Sequence, residues 1–146
     1  MSDSTTPPVA APAAPRADES LVGYTHVIYA LHSLSVLIGL TTFRSVASSF
    51  VWGLPSIVAV IMNYARRSAT HGSYLESHFQ WQIRTFWYAV LWAFVIATLK
   101  WPLLISLIGI PLYVAGRLAL SIWIVYRVAR GWIGLADRRP MYGGGA

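Results

Sequence analysis

Long apolar runs without charge alternate along the chain with short basic stretches. From Leu21 to Phe43 no Asp, Glu, Lys or Arg occurs, and from Ser45 to Ala65 there is again none, although Gly53-Leu54-Pro55 interrupts that run. A third run extends from about Phe79 to Leu99 with Arg84 near its start, and a fourth from about Pro111 to Arg130 with Arg117 inside it. A helix rises about 1.5 Å per residue and a hydrocarbon core is roughly 30 Å thick, so about 20 mostly apolar residues cross it. Each run meets that length. The pattern predicts an all-α membrane protein with four transmembrane helices in a domain over residues 21–134. Leu103–Ile110 is too short to cross alone and is expected either to extend the third helix or to lie at the interface.

The ends read differently. Residues 1–20 are rich in Ser, Thr, Pro and Ala without apolar periodicity and are expected to form a disordered cytoplasmic tail. A signal peptide would put its apolar core before a small-residue cleavage site. Here the Ala-rich stretch comes first, so the first apolar run is expected to stay in the mature chain. Residues 135–146 end in glycines and are expected to be a flexible cytoplasmic tail.

Composition agrees with a lipid surrounding. Of 146 residues, 56% are hydrophobic and 11% charged, against roughly 25% charged in a soluble domain. That leaves too little polar surface to cover a water-soluble globule. The net charge of +6, with seven Trp and eight Tyr, would also suit nucleic acid. Nucleic-acid binders, however, gather their basic residues on a solvated patch, whereas these punctuate apolar runs. The expected partner is the bilayer, not nucleic acid. The absence of cysteine excludes disulfides, iron–sulfur clusters and thiolate metal sites.

Orientation follows from the Lys and Arg positions. With four spans, one side holds Arg16, Arg66, Arg67, Arg84, Arg127, Arg130, Arg138 and Arg139, and the other only Arg44 and Lys100. Both termini are therefore expected in the cytoplasm. The arginines at the C-terminal end should favour anionic lipids of that leaflet. Small residues let helices approach closely in lipid, which marks Ala89, Ala93 and Ala97, then Ala115 and Ala119, and Ser35 with Gly39 as candidate contacts.

Arg44 precedes Gly53-Leu54-Pro55 by nine residues, and Lys100 precedes Gly109-Ile110-Pro111 by the same nine, 56 residues later. This is the pattern of a two-hairpin parallel repeat with Gly-x-Pro breaks. Proline in a first helical turn loses no hydrogen bond, so Gly-x-Pro starts helices naturally. Matched breaks in two halves also point toward transporter sites, while any pair of hairpins needs turns.

Glu76, Gln80 and Arg84 are spaced by four and share one helix face, with His78 on a neighbouring stripe. Glu76 is the only acid between Glu19 and Asp137 and is the expected partner of a partly buried arginine. His26, Asn63 and Arg127 fall at similar depth on their own helices. Together these residues would form a polar vestibule open to the cytosol, which either satisfies itself and the headgroups or binds an anionic or zwitterionic ligand. Arg117 is an intramembrane charge with no acid in any span to pair with. Its long side chain is expected to snorkel outward, the alternative being an anion site.

His26 and His78 lie at matched depth, the arrangement a bis-histidine haem requires, but no histidine pair has the close spacing and carboxylate support of a zinc site. No cofactor and no metal are expected. No phosphate loop, nucleophile elbow or paired catalytic carboxylates occur, so no enzyme activity is expected.

The stretches Gly53-Leu54-Pro55-Ser56-Ile57, Asn63-Tyr64-Ala65-Arg66-Arg67 and Leu75-Glu76-Ser77-His78-Phe79-Gln80-Trp81-Gln82-Ile83-Arg84-Thr85-Phe86-Trp87, with Tyr126-Arg127-Val128-Ala129-Arg130-Gly131-Trp132 and the segment from Asp137 to Met141, resemble a family of small uncharacterised bacterial inner-membrane proteins. The resemblance covers residues 22–142 and implies a compact multi-pass protein of the bacterial inner membrane without an assigned activity. In helix count and size alone the chain is also similar to the chloroplast inner-envelope translocon component of about twenty kilodaltons. The leading functional expectation is a non-enzymatic membrane component that works with a membrane-protein partner or as a homo-oligomer. A small transporter or channel component and a haem-binding electron-transfer protein are the alternatives.

Overall fold

The computed structural model describes residues 18–41 and 45–142; Arg16, Arg44 and the outer parts of both expected tails lie outside these. Among the described residues every element is helical: α1 (Glu19–Thr41), α2 (Val46–Trp52), α3 (Leu54–Arg66), a 3₁₀ turn (Arg67–Thr70), α4 (Tyr74–Ile105) and α5 (Gly109–Ala136). Three of these, α1, α4 and α5, are long and apolar enough to cross a membrane. The bent pair of α2 with α3 and its 3₁₀ extension adds a fourth candidate if it is taken as one crossing.

Local chemistry sets the breaks. The Asp18 carboxylate accepts from Ser20 N at 3.0 Å ahead of α1, and Ser45 Oγ accepts from Ser48 N at 3.0 Å to start α2. These are acceptors for the orphan N–H groups of a helix start. At Gly53 a Cβ would stand 2.0 Å from the Ser49 carbonyl oxygen, so only glycine fits the join. Pro55 then lies in the first turn of α3, and the axis bends by 49°. Gly72, at φ +75°, takes a left-handed turn before α4.

The helix α4 runs past the expected limit at Leu99 to Ile105, so Leu103–Ile105 extends it and a short turn leads into α5. Pro102 sits in its last turns and removes only one backbone hydrogen bond there. Lys100 is carried within the helix, its ammonium 5.2 Å over the Trp101 ring. Both Gly-x-Pro motifs open helices, in different settings. Gly53 stands at a bend between consecutive helices, whereas Gly109 closes the hairpin turn, its N–H donating to Ser106 Oγ at 2.8 Å.

The burial pattern is inside-out. On α1 the buried residues include Thr25, His32, Ser35 and Gly39, while Val27, Leu34, Leu37 and Leu40 are exposed. On α3, Ser56 and Asn63 are buried while Leu54, Val58 and Ile61 are exposed. In water the hydrophobic effect drives the opposite arrangement. In lipid, outward-facing leucine costs nothing and polar groups gain by facing one another. This is a helical membrane protein.

The start of α1, the start of α4 and the end of α5 meet at one end of the bundle, where Leu21, Val22, Leu75 and Leu135 pack around Tyr29. We call this the basic end. Farther along, Val36, Phe50, Phe86, Ala89, Leu120 and Ile124 form the main apolar core. Gly39 and Ser35 meet α2 and α3 as expected: a Cβ on Gly39 would stand 2.7 Å from Val46 Cα. Ala115 and Ala119 instead remain exposed, and Gly116 is the residue of α5 that faces Ile96.

The 32 residues of α4 rise about 48 Å and the 23 of α1 about 35 Å. The α4–α5 hairpin therefore outreaches its neighbours at the far end. Its tip is apolar and uncovered, with Ile105, Leu107 and Ile108 at least 84% exposed.

Candidate functional site

The residues expected to share one vestibule fall into separate places. Glu76 turns back over the loop before α4, where it accepts from Gly72 N at 3.2 Å and pairs with His71 Nδ1 at 3.2 Å. Arg84 is exposed and lies 5.7 Å over the Tyr142 ring, so the expected pairing of Glu76 with an arginine does not form. The two are two full helical turns apart, and each finds a nearer partner. Gln80 is half-buried on the same side of α4. His26 sits on α1, where the Trp132 indole N–H donates to its Nδ1 at 3.0 Å. Asn63 is fully buried on α3, and neither of its amide atoms has a partner.

His78 and Arg127 face the interior. A carbonyl only accepts, so His78 Nε2 carries the proton it donates to Arg139 O at 2.8 Å. In the neutral ring Nδ1 is then the acceptor, taking the Tyr29 hydroxyl at 3.1 Å. Both ring nitrogens of His78 are thereby engaged within the chain. The Arg127 guanidinium lies 3.5 Å over the Trp81 ring and donates from Nε to Thr85 Oγ1 at 2.9 Å. In return Trp81 Nε1 donates to Arg127 O at 3.1 Å. An arginine desolvated by an aromatic face and held by hydroxyl and carbonyl acceptors needs no carboxylate.

The segment expected to begin a free tail at residue 135 is tied down as far as Tyr142. Met141 N donates to Ser77 Oγ at 2.9 Å, and the Tyr142 ring packs 5.9 Å from Trp81. The carbonyl of Arg139 holds His78 from this same return strand, which therefore completes the basic end.

Deeper in the bundle a second polar group continues the line. His32, 2% exposed, has Nδ1 3.2 Å from Ser56 Oγ and stacks on Phe50. Ser56 N in turn donates to Ser35 Oγ at 3.0 Å. Between this group and the Tyr29–His78 pair lies a cavity of about 10 Å³, bordered by Tyr29, His32, Gln82, Thr85 and Arg127. His32 Nε2 and both amide atoms of Gln82 are buried there without a hydrogen bond, although Gln82 lies beside the Tyr29 phenol. Tyr29 and Ser56 have no place in the expected vestibule. The signal for Tyr29 is the recurrence of Thr25, Tyr29, His32, Ser35 and Gly39 every three or four residues on one face of α1, while Ser56 on α3 carries no such signal.

Arg117 lies apart from all of these. Its Nη1 approaches the Tyr113 hydroxyl at 3.4 Å and its guanidinium lies 5.6 Å over that ring, so the side chain turns back along α5 toward the far end. It borders a groove of about 680 Å³ between α5 on one side and Gly39, Leu40, Ser45 and Val46 on the other. Among the described residues no cluster of three or more His, Cys, Asp or Glu could hold a metal ion. No protein-family model, curated protein or solved structure matches the chain.

Proposed function

We propose that the chain is a four-span protein of the bacterial inner membrane with both termini in the cytoplasm, and that it acts without catalysis by assembling with a second membrane-protein surface. The basic end, which gathers Arg66, Arg84, Arg127, Arg130, Arg138 and Arg139, supports the orientation. The middle motif around Glu76–Trp87 supports the inner-membrane assignment through its family resemblance.

The observation that carries assembly is the α4–α5 hairpin. Beyond Arg84 the helix α4 runs from Thr85 to Ile105 with Lys100 as its one charge, a rise of about 30 Å that matches a hydrocarbon core of roughly 30 Å. The hairpin's tip has no neighbouring helix among the described residues, and Ile105, Leu107 and Ile108 there are bare. A partner helix or a second copy packed along α4 and α5 would cover that surface. A photo-crosslinker in place of Leu107 tests this in native membranes: adducts to a defined protein or to a second copy support assembly, and monomer alone contradicts it.

A second reading is favoured by one specific feature, the polar line His78–Tyr29–Gln82–His32–Ser56–Ser35 through the interior. Hydroxyls and imidazoles, joined by a water if the cavity holds one, would form the kind of relay that passes protons in membrane transporters. On this reading the chain is a small proton-conducting component. Proteoliposomes with an internal pH dye would show dissipation of a proton gradient that His32→Leu abolishes; no dissipation above empty vesicles rejects it.

A further inference from the structure

The groove beside Arg117 holds a charge that no described residue neutralises. The four described acids all lie at the basic end. Glu19 pairs with Arg138, Glu76 with His71 and Asp137 with Arg139, while Asp18 caps α1. Arg117 meets only the Tyr113 phenol among the described residues. A half-buried guanidinium in lipid is a strong attractor for a phosphate oxygen, because the bond is charge-assisted and poorly screened.

The groove has the shape of a lipid site. It follows α5 from Tyr113 to Tyr126, a rise of about 20 Å, which exceeds the roughly 15 Å hydrocarbon depth of one leaflet. Its walls are mostly aliphatic, with Leu40 and Val46 on one side and Val114, Leu118, Ile122 and Val125 on the other. The polar atoms of Arg117 and Tyr113 lie toward the far end, and the aliphatic walls continue past them toward the bundle centre.

The geometry points to an anionic phospholipid of the far leaflet as the occupant, with its phosphate on Arg117 and one acyl chain along the groove. A second copy related by a twofold axis would bring a like charge toward Arg117 with no acid to separate the two. Among the described residues free phosphate would meet one cation and leave the aliphatic walls bare. The leaflet rests on the four-span orientation proposed above; binding in detergent does not, so failure of the topology and failure of the site can be told apart.

The test is native mass spectrometry of the full chain in mild detergent with phosphatidylglycerol, phosphatidylcholine or inorganic phosphate added. The wild type should retain one phosphatidylglycerol about tenfold more tightly than phosphatidylcholine, whose choline cation offsets the phosphate and repels Arg117. Arg117→Leu should remove that preference, Arg66→Leu on α3 should keep it, and Arg117→Lys should keep part of it. Leu118→Trp, which narrows the groove without touching the charge, should lower retention of both lipids. Equal preference in wild type and Arg117→Leu overturns the proposal. Displacement of the lipid by millimolar inorganic phosphate would make this a free-anion site, and a lipid-free dimer through this face would make it a contact between copies; either result overturns it.

Discussion

Tyr29 and Gly131 approach so closely that a Cβ on the glycine would stand 2.6 Å from the phenol oxygen. The bare backbone of α5 is what lets the Tyr29 hydroxyl reach His78 Nδ1 across the bundle. Gly131→Ala should push the ring aside and cost about 1–3 kcal/mol, as overpacking does. Gly23→Ala, where a Cβ meets nothing within 4 Å, should be neutral or stabilising by up to about 1 kcal/mol. Thermal unfolding in detergent compares the two, and equal midpoints would contradict the close approach.

Arg127 is held by shape as much as by charge. Lysine cannot reproduce both the planar stack on Trp81 and the Nε bond to Thr85. Arg127→Lys should therefore lower stability by about 1–3 kcal/mol, while Arg130→Lys at an exposed position should stay within about 0.5 kcal/mol. If the two lysine variants unfold alike, the stack contributes nothing.

The cavity between His32 and Gln82 has room for about one water, and orphaned polar atoms border it. One ordered water should be visible there at high resolution. Gln82→Met keeps the volume but removes both polar atoms, and should cost about 1 kcal/mol if a water bridges them. Unchanged or raised stability would mean the cavity is dry.

The apolar runs made most of the helices legible. The run from Leu21 to Phe43 matches α1 within two residues, and Gly53-Leu54-Pro55 marks the bend at which α3 begins. The sequence leaves open whether Leu103–Ile110 extends the third helix or lies at the interface; α4 does run on as far as Ile105, because a long amphipathic stem and a near-terminal proline are both tolerated in a helix. The site was less legible. Spacing by four places Glu76, Gln80 and Arg84 on one face but says nothing of what lies opposite, and so it missed His71 and Tyr142 as partners. His78 is among the residues singled out, and its partners come from α1 and from the returning segment after α5. Contacts between residues 49 and 61 positions apart cannot be read from periodicity.

Because the sequence contains no cysteine, single introduced cysteines report topology without background. Ser20→Cys, Gly72→Cys, Ser106→Cys and Met141→Cys, each probed on intact cells with a membrane-impermeant maleimide, sample both ends of the bundle. If the chain crosses the lipid four times from a cytoplasmic basic end, only Ser106→Cys is labelled from outside, and the other three react once the membrane is opened. Labelling of Gly72→Cys on intact cells, or of Ser20→Cys and Met141→Cys from opposite faces, would contradict it.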